Sequence, residues 1–249
     1  MPTYPPLSII VPYRDRKEQL ARLARHLTAY FTRDKVDRNI PWRLTIVEQA
    51  AGKPFNRGLM KNIGFLLTED KADYFCFHDV DYLPVWADYR MPDRPTRIIW
   101  YGAEVVPLFP GSPDGITHDY KTTFGGVVLF PKADLRRING YSNEYWGWGF
   151  EDKDLLLRCE IEGIEIGFRD GTFEALHHQN EGFDRSGRVT LDHSRNATLH
   201  AEKKAAMLAR RAHQEDGLNT ARFTVRERVV ARDENGNAVP NIERVVVEV

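Results

Sequence analysis

The sequence predicts an α/β fold whose central sheet is mixed, mostly parallel and flanked by helices. Short apolar runs alternate with segments of helical periodicity, so that strand, helix, strand, helix and strand follow one another within about 80 residues. This alternation indicates βαβ units. The composition, 42% hydrophobic and 29% charged over 249 residues, is ordinary for a globular protein and sufficient for a full core.

The first third of the chain supplies three strands and two helices. Leu7–Arg14 is a β-branched apolar run that is interrupted at Pro12, which is typical of a buried parallel strand ending in a loop. Leu20, Leu23 and Leu27 then recur at helical spacing and predict an amphipathic helix. We expect strands at 42–50 and 73–84 and helices at 15–33 and 56–70.

The remainder of the chain is less regular up to about residue 150. Apolar runs at 96–109 and 122–131 predict further strands, and Ala133–Ile138 a short helix. Helices are expected at 151–163, where Gly163 ends the pattern, and at Ala201–Gln214. The alternating tail turns at 234–237 and predicts a hairpin. A single domain over 1–249 is favoured over two.

Composition excludes several functional classes. The formal net charge of -1 gives no global attraction to nucleic acid or to an anionic membrane. Cys76 and Cys159 form no C-x-x-C pair, so we expect buried thiols in a reducing compartment rather than zinc or disulfides. We see neither a signal peptide nor a membrane span. A cytoplasmic enzyme, or one peripheral at the inner membrane, is expected.

Two aspartates follow the third strand. Because strand side chains alternate with period two, Asp79 and Asp81 point to the same side of the chain. Such a pair suits a divalent ion that bridges to a diphosphate, although two solvated turn residues would give the same pattern. The adjacent His177 and His178 shift the metal preference from Mg²⁺ toward Mn²⁺ if they contribute; histidines in a loop are otherwise simply exposed.

Arginines lie beside aromatic residues in two loops that are expected at one edge of the sheet. Tyr13 precedes Arg14 and Arg16, and Phe55 lies two residues before Arg57. Aromatic rings stack on a nucleobase and guanidinium groups bind phosphate, so the two loops favour a nucleotide over solvated surface arginines.

With these pieces in place, the chain resembles the β-1,4-galactosyltransferase family, inverting enzymes of the GT-A fold that use UDP-sugar donors. The matching segments occur in the family's order and extend from about residue 8 to about residue 225. They are VPYRDRKEQL, FNRGLMKNIGF, FHDVDYLP, FGGVVLFPKADLRRINGYSNEYWGWGFEDKD, LHHQN and DGLNTARFTV. The family's cytoplasmic tail, membrane anchor and stem have no counterpart, so we expect a soluble bacterial member.

The resemblance implies a UDP-sugar-binding part over about 7–84, an acceptor and catalytic part over about 85–225, and a C-terminal hairpin over 226–249. It implies Asp81 and His177 as Mn²⁺ ligands and leaves His178 or Glu174 as the third protein ligand. The nucleotide-contacting residues that it implies are Pro12, Tyr13, Arg14, Arg16, Phe55, Arg57, Asp79 and Gly126.

The acidic stretch after the glycine and tryptophan loop carries the implied chemistry. Trp148 corresponds to the tryptophan of the family's mobile loop, and Glu151 and Asp152 to the acidic pair at the acceptor, with Asp152 as general base. Two residues depart from the family motif W-G-W-G-G-E-D-D-D: Phe150 replaces the second loop glycine and Lys153 replaces an acid.

These matches imply Mn²⁺-assisted transfer of galactose from UDP-galactose to a saccharide or glycolipid hydroxyl, with a β-linked product. Thr123 stands where strict galactose transferases have tyrosine, so UDP-GalNAc is a second candidate donor. The alternative is a non-catalytic module that binds a UDP-sugar or carbohydrate and retains the fold, an idea that Lys153 encourages.

Overall fold

The computed structural model describes residues 4–33, 39–99, 124–176, 190–233 and 235–249. The helices are α1 (Lys17–Arg33), α2 (Arg57–Thr68), α3 (Lys132–Arg137), α4 (Glu151–Ile161) and α5 (Leu191–Arg210). The strands are β1 (Leu7–Tyr13), β2 (Trp42–Gln49), β3 (Tyr74–His78), β4 (Tyr82–Ala87), β5 (Thr96–Arg97), β6 (Val127–Pro131), β7 (Gly167–Phe168), β8 (Gly171–Ala175), β9 (Thr224–Arg232) and β10 (Ala238–Glu248).

Eight of these strands form one sheet in the order β7-β5-β6-β3-β1-β2-β10-β9. β1 pairs in parallel with β2 and β3, and β10 pairs in parallel with β2. β6 and β9 run antiparallel to their neighbours β3 and β10. Four parallel strands therefore form the centre of a mixed sheet, as the βαβ pattern predicts.

The central strands are buried on both faces because each face is covered by a separate helical layer. Leu7, Ile9 and Val11 of β1 pack with residues of α1 in one cluster. Ile10 of β1 packs on the opposite face with residues of α2 and α4. Gly64 lets α2 approach the sheet closely, since a Cβ there would collide with the side chain of Ile10. Residues of β1 thus contribute to two separate hydrophobic clusters, one on each face of the sheet.

Helix α2 begins where the nucleotide-binding loop was predicted to end. The side chain of Asn56, its N-cap, accepts a hydrogen bond from the backbone amide of Leu59 at 2.8 Å. The side-chain nitrogen Nδ2 of Asn56 also donates a hydrogen bond to Asn143 O at 2.7 Å. A capping side chain typically contributes about 1 kcal/mol. Here Asn56 additionally connects α2 to the loop that precedes α4.

Two elements differ from the expectations drawn from the sequence. The single strand expected over 73–84 is two strands, β3 and β4; β4 extends to Ala87, where irregular chain was expected, and pairs antiparallel with β8 in a separate two-stranded sheet. Helix α5 begins at Leu191 rather than 201, because the Thr190 side chain caps it, and ends at Arg210, where Arg211 adopts a left-handed conformation. The C-terminal hairpin is part of the main sheet through the pairing of β10 with β2.

Of the helices in the described ranges, none combines the length and the hydropathy needed to cross a bilayer. Both cysteines are free and buried, as predicted.

Candidate active site

A cleft of about 250 Å³ opens at the carboxyl ends of the central parallel strands. This is where open α/β sheets bind their ligands. β1 contributes its last residues, the loop before α2 contributes an aromatic side chain, and the segment after β3 contributes two carboxylates. The described residues that line it are Pro12, Arg14, Asp15, Arg16, Phe55, Arg57, Asp79, Val80 and Asp81.

Backbone hydrogen bonds fix the two aspartates that follow β3. The amide of Asp79 donates to the carbonyl of Gly126 at 3.0 Å, and the carbonyl of Asp81 accepts from the amide of Leu176 at 2.7 Å. Gly126 has φ +82°, a left-handed conformation that glycine adopts without strain. Gly126, which the resemblance implies as a nucleotide contact, accepts the hydrogen bond that holds the backbone of Asp79 in place.

Arg57 lies between the two groups of carboxylates. Its guanidinium Nη1 is 3.4 Å from Asp79 and 3.2 Å from Glu151, the first residue of α4. Burial alone lowers the pKa of Arg57, but the negative charges of Glu151, Asp79 and their neighbours outweigh it and raise that pKa. The guanidinium of Arg57 thus contacts carboxylates at the strand end and at the start of α4.

Two further cations lie beside the strand-end carboxylates. Lys61 on α2 is 2% exposed, with its ammonium 3.7 Å from Asp79 and 5.0 Å from the centre of the Tyr141 ring. Nη1 of Arg16 is 4.0 Å from Asp81. Lys61 was not among the predicted site residues. Its position on the apolar, core-facing side of a helix could have identified it, because lysine is rare there unless it is paired.

Asp152 has an environment unlike that of Asp79. Burial, reinforced by the charge of Glu151, raises the pKa of Asp152 to about 6, although Arg57 and Lys61 lower it. Its carboxylate lies against Gly125: a Cβ built on that glycine would be 2.9 Å from Oδ2. Gly125, which sequence reasoning missed, therefore provides the space that Asp152 occupies.

The two departures from the family motif contact each other. Phe150 has φ +75° as the residue preceding α4, a left-handed conformation that costs a non-glycine residue about 1–2 kcal/mol. This explains why glycine suits that position. The Phe150 ring packs against His193 and His200 at centroid distances of 5.1 and 5.5 Å. The ammonium of Lys153 lies 4.8 Å from the same ring, which attracts it through its negative face.

Trp148 is half-buried in the loop before Phe150. Its indole stacks on His193 of α5 with 5.2 Å between centroids and 28° between planes. On the cleft side, the neighbouring Gly147 amide donates to the carbonyl of Phe55 at 2.7 Å. The loop therefore connects the nucleotide-side aromatic residue with α5.

Other predicted site residues lie elsewhere or outside the described ranges. Tyr13 is 8% exposed and packs in the core with α1, so its ring does not line the cleft. Glu174 is half-exposed and its carboxylate accepts a hydrogen bond from Arg22 of α1 at 2.7 Å. His177 and His178 lie outside the described residues, as does Thr123.

The donor set fits a hard divalent cation in part. Asp79 and Asp81 present carboxylate oxygens, the ligands that Mg²⁺ and Mn²⁺ prefer, to a cleft whose cations also suit a diphosphate. No group of three or more potential metal-binding side chains occurs within the ranges that the structure describes. A complete coordination shell would require a protein ligand from outside those ranges or oxygen atoms of the diphosphate itself.

Two family models match the chain. Residues 4–91 match the N-terminal region of glycosyl transferase group 7, and residues 111–181 match the N-terminal domain of galactosyltransferase. Both predicted halves of the site, the Asp79–Asp81 segment and the Glu151–Asp152 pair, fall within these matches.

Curated relatives are β-1,4-galactosyltransferases. The chain is 35% identical to human β-1,4-galactosyltransferase 4 over 164 residues, 64% of this chain and 44% of the relative. It is 30% identical to human β-1,4-galactosyltransferase 7 over 230 residues, 89% of this chain and 62% of the relative. The chain spans about half the length of the first curated relatives that it matches.

Solved structures extend the likeness across the whole fold. The catalytic domain of Drosophila β1,4-galactosyltransferase 7, in complex with xylobiose, matches with a TM-score of 0.72 and 23% identity over 98% of this chain and 93% of that chain. A mutant of that enzyme, solved with manganese, UDP-Gal and xylobiose, matches with a TM-score of 0.73 and 22% identity over the same shares. At this identity the likeness establishes the fold.

Proposed function

Because this chain belongs to the β-1,4-galactosyltransferase family and has its GT-A fold, we propose that it is a Mn²⁺-dependent inverting hexosyltransferase. The donor is UDP-galactose, with UDP-GalNAc as the second candidate, and the acceptor is a sugar hydroxyl. The Drosophila relative's complex with manganese, UDP-Gal and xylobiose supports this assignment.

One observation carries the proposal. Arg57 interacts electrostatically with Asp79 and Asp81 after β3 and also with Glu151 and Asp152 at the start of α4. The carboxylates that suit a metal diphosphate and the carboxylate that suits a base therefore face one guanidinium. A transferase needs this arrangement, because its donor and acceptor must meet at one carbon atom.

The nucleotide would bind along the cleft. Phe55 offers a ring for the uracil, and Arg14, whose guanidinium lies 5.2 Å from the centre of that ring, is held by a hydrogen bond to Lys53 O. Asp81 and His177 would hold the Mn²⁺, which when bound supplies a Lewis acid for the charge that develops on the leaving UDP. Arg16, beside Asp81, and Arg57, beside Asp79, would add preorganised positive charge for the diphosphate.

Asp152 acts as the general base. Its raised pKa of about 6 makes it a competent proton acceptor that is still ionised near neutral pH. The acceptor hydroxyl loses its proton to this carboxylate while its oxygen bonds to the anomeric carbon from the face opposite UDP. The bond from that carbon to the phosphate oxygen breaks, and an α-linked donor gives a β-linked product.

Lys153 does not by itself favour a non-catalytic module. Its ammonium lies over the Phe150 ring, and the base candidate Asp152 remains in a partly buried position against Gly125. The two buried free cysteines fit a reducing compartment, which supports a cytoplasmic or inner-membrane-peripheral location.

UDP release tests the proposal. With Mn²⁺ and UDP-galactose, UDP-GalNAc or UDP-glucose in turn, we expect release above the enzyme-free rate with the first or second donor, and none after chelation. Linkage analysis of the product should give a β-glycoside. UDP binding without transfer or donor hydrolysis, for all three donors, would establish the binding-module alternative instead.

A further inference from the structure

The loop 146–149, called here the tryptophan loop, is fastened on its outer side by helix α5. Asn196 is fully buried, and its side-chain amide nitrogen lies 3.1 Å from Trp146 O, 3.2 Å from Trp148 O and 3.1 Å from Gly149 O. An amide carries two donor hydrogens, so three carbonyls share them. One side chain thus donates to three of the four carbonyl groups of the loop.

Other side chains of α5 reinforce this contact. Arg195 also donates to the carbonyl of Trp146. Gly147 lies directly against Asp192, where a Cβ would collide with the carboxylate. The His193 ring stacks on Trp148 and also packs against Phe150. The first turns of α5 are therefore shaped to the tryptophan loop through polar, steric and aromatic contacts.

The end of the loop is the beginning of the catalytic helix. Phe150 follows Gly149 directly, is the N-cap of α4 and is held in a left-handed conformation that it would not adopt unaided. Asp152 lies two residues further on. A change in the position of the loop therefore moves the N-terminus of α4 and the carboxylate of Asp152 against Gly125.

We propose that Asn196 is a positioning residue for the transfer reaction: through the carbonyls of the tryptophan loop it fixes Trp148 and, through Phe150, the carboxylate of Asp152. This role rests on the proposed function of the site. Within the described residues, the side-chain amide nitrogen of Asn196 donates to the tryptophan loop and not to a residue that lines the nucleotide cleft. The loop meets that cleft through the hydrogen bond from the Gly147 amide to Phe55 O. The main contribution of Asn196 is therefore to the chemical step and to the ordering of the loop, and its effect on UDP binding is small.

Asn196→Ala is the direct test, with Ser194→Ala, an exposed position on the same helix, as the matched control. We expect kcat to fall on the order of tenfold to a hundredfold, the range that a misplacement of about 1 Å produces. The Kd for UDP with Mn²⁺ should stay within about twofold of wild type, a change far smaller than the expected fall in kcat. Amide hydrogen exchange at residues 146–150 should accelerate at least tenfold, and Ser194→Ala should change none of these quantities.

A second variant separates positioning from a general loss of folding. His193→Ala removes the ring that stacks on Trp148 and Phe150 but leaves the loop carbonyls bonded to Asn196. It should lower kcat and accelerate exchange in the same segment, each by less than Asn196→Ala. Circular dichroism melting of all three variants identifies any that are unfolded at the assay temperature.

The outcomes distinguish this inference from the proposed function. Wild-type kcat in folded Asn196→Ala, or lost activity with unchanged exchange at 146–150 in both variants, would overturn the positioning role. If wild type transfers no sugar, the proposed function fails. The exchange measurement then still decides whether Asn196 holds the loop.

Discussion

The strand-end cleft and the corner formed by the tryptophan loop, α4 and α5 are held by different kinds of interaction. Asp79 and Asp81 follow a strand whose residues are all buried, and their backbone groups bond to Gly126 and Leu176. The corner instead depends on side chains: Asn196 holds the loop, and rings surround Phe150. Backbone hydrogen bonds hold the main chain of the first region, whereas the second depends on side chains that single substitutions remove.

The two regions also differ in the charge and burial that surround their carboxylates. Asp79 lies 3.4 Å from Arg57 and 3.7 Å from Lys61, so nearby cations neutralise it. Burial and Glu151 instead raise the pKa of Asp152 to about 6. Cations close to a carboxylate suit a site for a metal diphosphate, whereas a raised pKa suits a carboxylate that takes a proton. In the proposed function, the first region therefore binds the metal diphosphate and the second accepts the proton.

The largest expected effect comes from Asp152→Asn, which removes the proposed general base. A positioned general base contributes typically 10²–10⁴-fold, so kcat should fall by about that factor. UDP affinity should be nearly unchanged, because Asp152 is outside the described lining of the cleft. Glu160→Gln, an exposed acid on the same helix, is the control and should be active. Loss of UDP binding in Asp152→Asn would place this residue on the donor side.

Gly125→Ala should have the next largest effect, because it shifts the base without removing it. The added methyl would lie 2.9 Å from Oδ2 of Asp152, too close for an ordinary contact. We expect kcat to fall on the order of tenfold to a hundredfold. The double variant Gly125→Ala/Asp152→Asn should lose no more activity than Asp152→Asn alone. Additive losses would mean that Gly125 acts through a different group.

The pH dependence of kcat tests whether the raised pKa of Asp152 governs proton transfer. A general base works only when deprotonated, so kcat should fall about tenfold per pH unit below the pKa of Asp152, near 6, and level off above it. A pH series from 5 to 8 in the presence of saturating donor and Mn²⁺ measures this. The residual activity of Asp152→Asn should lack this limb, and a limb that persists there must belong to another residue.

Glu174→Gln should have the smallest effect, and it tests where the metal site ends. The Arg22–Glu174 pair is half-exposed on both sides, and such pairs contribute typically 0.2–1 kcal/mol. We expect at most that loss in the free energy of unfolding, measured with urea, and an unchanged Mn²⁺ titration of activity. A weaker Mn²⁺ dependence in Glu174→Gln would make Glu174 a ligand.

Much of the fold follows from the sequence because its strands are short apolar runs between amphipathic helices. β1, β2, β3 and the hairpin of β9 and β10 lie where the pattern predicts them. β4 was merged with β3 in the strand predicted over 73–84, and its last residues were missed because Pro84 interrupts its pattern, which a strand outside the main sheet tolerates. The start of α5 was missed because its exposed first turns lack apolar periodicity; Thr190 and contacts with the tryptophan loop define it instead.

The part of the candidate site that depends on local sequence could be expected from it. Asp79 and Asp81 are identifiable because they follow an apolar strand, whereas Asp152 is implied by the family resemblance. Gly125, Lys61 and Asn196 were not predicted, since their roles arise from contacts between segments far apart in the chain. Tyr13 shows the converse: the resemblance implies a nucleotide contact, but strand alternation turns its ring into the core.

The central claim is that the strand end binds the metal diphosphate while α4 supplies the base. Isothermal titration of UDP in the presence of Mn²⁺, with Asp81→Asn and Asp152→Asn compared against wild type, tests it most directly. The account predicts that Asp81→Asn loses the Mn²⁺-dependent part of UDP affinity, whereas Asp152→Asn binds UDP like wild type and fails only in transfer. Equal losses of UDP affinity in both variants, or an unchanged Mn²⁺ dependence in Asp81→Asn, would contradict it.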